Sequence, residues 1–141
     1  MTTTIKTSPK ERKLGFRVLF LGMFAIGTGQ TLFISVLPPY ARGLGLSEVQ
    51  VGFIFSLSAL GWMMMSPFWG RKSDFIGRKS IIILGLLIYS FTTILMGIEF
   101  GLNELGYINL STLFGLLIFT RGCYGFLGSG AHSASMAYVA D

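Results

Sequence analysis

Apolar residues along this chain gather in four long runs, at about 18–37, 49–69, 80–98 and 110–138. Each approaches or exceeds the roughly twenty residues that a helix needs to cross a bilayer core. The polar breaks between them predict where the helices stop. Pro38-Pro39 is expected to end the first span, because proline cannot continue the hydrogen-bond ladder. Ser47 and Glu48 supply a start signal for the second. Trp62 and Trp69 suit a helix that ends at a membrane interface, and Pro67 is expected to bend or terminate its last turn. Residues 99–109 read as an acidic loop containing Gly101 and Gly106. The fourth run is the least apolar and the richest in Gly and Ser. The pattern predicts an all-α integral membrane protein with four transmembrane helices.

Composition agrees. Of 141 residues, 52% are hydrophobic and 12% charged, against a usual charged share of about 25%. The mean hydropathy is +0.68. A net charge of +5 raises the possibility of nucleic-acid binding, but the charges sit in clusters flanking apolar spans, which argues against it. The first run is too long for a signal-peptide core and is read as an uncleaved helix. Cys123 has no second cysteine to pair with. Lys6, Lys10, Arg12, Lys13 and Arg17 precede the first run, and Arg71, Lys72, Arg78 and Lys79 follow the second. Only Arg42 falls on the opposite side. The positive-inside rule therefore places residues 1–17 in the cytoplasm as a basic tail, and four spans return the C-terminus there.

The segment between the second and third runs carries more than orientation. Gly70 and Gly77 bracket a tight connection, and Asp74 lies among Arg71, Lys72, Arg78 and Lys79. An acid set among bases can lock one conformation and release another. The spacing Gly70-x-x-x-Asp74-x-x-Gly77-Arg78-Lys79 resembles the signature loop of the major facilitator superfamily, with Phe75 where that family usually has a base. The resemblance implies a fold of twelve helices in two halves, of which these would be the first four. It also implies that this loop stabilises the outward-open state, with Asp74 as its central residue and Arg78 as its partner.

A second candidate site lies in the fourth run. Arg121 falls eleven residues after Leu110, at a depth where a cation costs several kcal/mol unless it meets a cavity or a partner. Gly125, Gly128 and His132 share its helical face. Close helix packing explains the glycines but not Arg121. His132 fits either a proton relay or a hydrogen-bonded packing residue. In the first run Gln30 is the most polar side chain and a candidate substrate contact. Arg121-x-x-x-Gly125 resembles the family's fourth-span motif of proton-coupled exporters. The ending Ala137-Tyr138-Val139-Ala140-Asp141 is similar to the same span in drug and tetracycline exporters. Arg121, Gly125, His132 and Gln30 are thus the cavity and proton-coupling candidates.

No cluster has metal-ligand spacing, no phosphate-binding glycine loop is present, and no nucleophile sits beside a base, so an enzyme is not expected. Two readings remain. One is a secondary transporter of the plasma membrane that exports small amphipathic compounds by alternating access. It would use a proton gradient and no cofactor. Its partners would be the lipid bilayer, a small-molecule substrate and the remaining helices of the same transporter, without nucleic acid. With four spans it would be a truncated or fragmentary member. The other is a four-span structural or assembly protein, which would need neither Arg121 at depth nor the Gly70–Lys79 spacing.

Overall fold

In the computed structural model the backbone is described for residues 9–140 and the side-chain surroundings for residues 15–136. Lys6 and Asp141, and the side chains of Lys10, Arg12 and Lys13, lie outside the described residues. Four helices follow in order: α1 (Pro9–Gly43), α2 (Glu48–Ile76), α3 (Arg78–Glu104) and α4 (Leu110–Ala140). All four are long and apolar enough to cross a membrane.

The helices overrun the expected spans, and the reasons are local. Pro38 and Pro39 do not end α1. Each removes one backbone donor, but the flanking Leu37 and Ala41 are buried in a cluster with Leu46, Val51, Ile54, Met96, Leu113 and Leu117. The Arg42 side chain also donates to the Pro38 carbonyl at 3.2 Å. Packing of this turn prevails over the missing ladder bonds. Pro67 likewise sits inside α2, which continues for nine residues to Ile76. At the other end of α2, Ser47 is the N-cap, as expected. Its hydroxyl accepts from the Gln50 amide at 3.3 Å, and the Gln50 side chain accepts from the Ser47 amide at 2.9 Å. That closed box fixes the start of the helix.

Two expected loops shrink. The basic connection reduces to Gly77 alone, at φ 98° and ψ 130°, a backbone region that L side chains rarely adopt. Gly70 is helical, and a Cβ there would meet nothing within 4 Å. The acidic loop begins only after Glu104, so Glu99 belongs to α3. Asn109 then caps α4 by accepting from the Thr112 amide at 2.8 Å.

α4 is the centre of the bundle. It packs along both α2 and α3, while α1 meets its neighbours at few points. Small residues make the α2–α4 approach possible. A Cβ on Gly61 would come within 2.9 Å of the Gly125 backbone, and one on Gly125 within 2.7 Å of the Ser58 carbonyl. Such close contact replaces the hydrophobic drive that is absent between helices in lipid. Toward the Gly77 end, Trp69, Ile81, Ile82 and Ala134 form a second buried cluster. There the Trp69 indole donates to the Phe126 carbonyl at 2.9 Å.

Candidate functional site

Between α1, α3 and α4 lies a cavity of about 540 Å³. Its walls are mainly aromatic and aliphatic, with Phe33 and Tyr40 from α1, and Tyr89, Met96 and Phe100 from α3. Gln30 from α1 and Arg121 from α4 are among its polar lining residues, with Thr93 from α3. An apolar pocket with a few convergent polar groups is the ordinary form of a small-molecule site.

Arg121 is buried, at 7% exposure. Its guanidinium carbon stands 3.1 Å from the centroid of the Phe33 ring and 5.5 Å from that of Tyr124. A desolvated cation over an aromatic face gains roughly 2 kcal/mol. Nη1 reaches Gln30 Oε1 at 3.5 Å, at the long limit of a hydrogen bond. Nε has no hydrogen-bond partner among the described residues. This cation is held by π faces and one weak amide contact, with no carboxylate partner among the described residues. Its backbone is fixed from behind, where the Ser58 hydroxyl donates to the Arg121 carbonyl at 3.0 Å.

The structure brings Arg121 and Gln30 together and separates them from the other two candidates. Gly125 faces Ser58 and Gly61 across the α2–α4 seam and does not line the cavity. The small face at Gly125 is filled by the Ser58 backbone. His132 is exposed, its ring centroid lies 5.5 Å from that of Trp62, and it lines a separate void of about 20 Å³. Tyr89 and Tyr124 also line that void, and Tyr89 lines the main cavity as well.

At the Gly77 end, Asp74 and Arg78 form an ion pair at 3.5 Å, one helical turn apart across the Gly77 break. The pair is largely exposed on the Asp74 side, at 61%. Lys79 is exposed, and Lys72 lies over the rings of Phe68 and Trp69 at 5.2 and 5.6 Å. Asp74 and Arg78 therefore meet, while Gly70 serves only as a helical residue in this conformation.

Sequence reasoning missed Glu99. It is buried at 3% exposure and accepts a hydrogen bond from Thr120, the residue before Arg121. A repeat marks it: Gly85, Thr92 and Glu99 recur every seven residues along the buried side of α3, the spacing of a helix-packing seam. Phe33, Tyr40 and Tyr89 were missed too, since aromatic residues at helical spacing look alike whether they face lipid or a cavity.

The family model described as Major Facilitator Superfamily matches residues 19–141. Multidrug resistance protein 2 of Bacillus subtilis is 33% identical over 137 residues, covering 97% of this chain and 31% of that protein. Quinolone resistance protein NorA of Staphylococcus aureus is 37% identical over 88 residues, covering 62% of this chain and 23% of the relative. The chain thus spans less than a third of the length of these curated relatives. No solved structure matches it significantly.

Proposed function

This chain belongs to the major facilitator superfamily, and we propose that its four helices serve as the first four of a transporter that exports small amphipathic compounds in exchange for protons. The observation that carries the reading is Arg121, a buried cation in the wall of a largely apolar cavity. The names of the relatives, a multidrug and a quinolone resistance protein, support the same substrate class. A four-span assembly protein would gain nothing from a cation buried without a countercharge, which costs several kcal/mol in a membrane helix.

The mechanism is alternating access. The apolar and aromatic walls accept the body of the substrate, Gln30 contacts its polar part, and Arg121 tunes the charge of the cavity. Proton binding on one side and substrate binding on the other bias two conformations in opposite senses. Gly77 is the hinge between α2 and α3, and the Asp74–Arg78 pair across it favours one of the two states. The cluster of basic residues supports a cytoplasmic Gly77 end and N-terminus for this plasma-membrane transporter. The reading is a transporter and not an enzyme.

The test is efflux from energised vesicles containing the product of the full reading frame that encodes this chain. Dye export driven by a pH gradient should fall strongly in Arg121→Ala and Asp74→Asn. Unchanged export in both would remove these residue assignments. An open frame that continues beyond codon 141 with further apolar spans would support the transporter over the assembly protein.

A further inference from the structure

Among the described residues, two side chains of the Asp, Glu, Lys, Arg and His types are buried, Arg121 and Glu99. The transport reading above uses the first and leaves the second unemployed. Glu99 lies five residues before the end of α3, about 7.5 Å along the helix axis. Its Oε1 accepts from the Thr120 hydroxyl of α4, and its Oε2 has no hydrogen-bond partner among the described residues. Neither of the ion pairs among the described residues, Arg42–Glu48 and Asp74–Arg78, involves it.

Charged groups on the surrounding helices have other partners. On α3 itself, Glu104 accepts a hydrogen bond from Tyr40 of α1. On α1, Arg42 pairs with Glu48, the acid that opens α2. On α4, Arg121 follows Thr120 directly, but its guanidinium lies on Phe33. A carboxylate with one hydroxyl partner and no cation is among the costliest groups to hold inside a membrane bundle. A neutral carboxyl in the same place loses only one hydrogen bond. Met96 and Phe100, three residues before and one after Glu99, line the main cavity. The carboxyl therefore sits beside the cavity wall.

We propose that Glu99 is a membrane-embedded proton-binding site that supplies a proton in coupled export, with Thr120 as its hydrogen-bond partner and Arg121 as its alternate countercharge. This rests on the transport reading for its role in the cycle, but not for the proton site itself. In the conformation described, the proton resides on Oε2. When the cavity admits water past Met96 and Phe100, the proton leaves Oε2 for that water. The remaining carboxylate keeps the Thr120 hydroxyl, and the Arg121 side chain leaves Phe33 to neutralise it. The local charge falls from +1 to zero, and Arg121 is withdrawn from the substrate site. Protonation reverses the exchange and returns the Arg121 charge to the cavity, where it disfavours a cationic substrate such as ethidium, so proton and substrate compete through one arginine.

The experiment uses the full reading-frame product in liposomes, with ethidium as the transported probe. Infrared spectra at neutral pH should show a protonated-carboxyl band that Glu99→Gln removes and Glu104→Gln leaves. In the same variant, ethidium transport driven by a pH gradient should be lost, while ethidium exchange at equal pH persists. Absence of a Glu99-dependent band overturns the proposal, and so does gradient-driven transport that Glu99→Gln leaves unchanged. If Glu99→Gln does not fold, Thr120→Val decides: a shifted carboxyl band supports the assignment, and an unshifted band contradicts it. Wild-type protein that shows the band but carries no ethidium supports the proton site and sinks the transport reading alone.

Discussion

On α4, the side carrying Gly125 meets α2 at backbone distance, whereas the side carrying Arg121 opens onto a cavity shared with α1 and α3. The two residues are four apart in sequence, and a family motif names them together. They do different work. Gly125 is there for what it lacks, since any side chain would enter the Ser58 backbone. Arg121 is there for a charge that the surrounding rings tolerate without cancelling. The contrast teaches that a polar, small-residue stripe in a membrane helix can face two surroundings at once, a packed helix and an open cavity.

The comparison breaks most visibly at Arg121. Arg121→Ala should lower gradient-driven transport by about tenfold to a hundredfold, the effect of losing one charged contact. Its thermal unfolding midpoint in detergent should stay near wild type, because removing a costly buried cation offsets the lost contacts. Gly125→Val should do the reverse and destabilise the bundle by about 3 kcal/mol, since the obstruction is backbone and cannot step aside. Its unfolding midpoint is the readout.

Smaller effects sharpen the picture at the Gly77 end. Gly77→Ala forces an L residue into the φ 98° conformation and should cost about 1–2 kcal/mol, seen as a lower unfolding midpoint. Gly70→Ala should stabilise the helix by about 0.5–1 kcal/mol in the same assay, because a Cβ there has open space. Transport lost in Gly70→Ala would then report on a close approach made in another conformation. Asp74→Asn should change stability least, by about 0.3–0.5 kcal/mol, as for other exposed pairs one turn apart. Its effect belongs to transport, and added salt should mimic its stability change.

Much of this was legible in the sequence. Four apolar runs specify four helices, and the spacing from Gly70 to Lys79 together with Arg121 points to the family. What misled was punctuation. Pro38-Pro39 and Pro67 look like stops, but bilayer-length helices held by their neighbours absorb a missing donor. Glu99 looked like the first residue of a loop because the apolar run ends there and Gly101 and Glu104 follow. A packing seam tolerates an acid that a hydropathy reading rejects, and only the seven-residue recurrence of Gly85, Thr92 and Glu99 could have shown it. The division of α4 into a dry side and a cavity side depends on where α1 lies, which no pattern within α4 encodes.

The most direct measurement is thiol labelling of single-cysteine variants in a Cys123→Ser background of the full reading-frame product. Gln30→Cys, beside Arg121 in the cavity, should react with a membrane-impermeant methanethiosulfonate and be protected by ethidium. Phe119→Cys, which replaces a side chain 66% exposed on the surface of α4, should resist the reagent in lipid. A Gln30→Cys that reacts no faster than Phe119→Cys, with or without ethidium, would contradict a hydrated, substrate-binding cavity around Arg121.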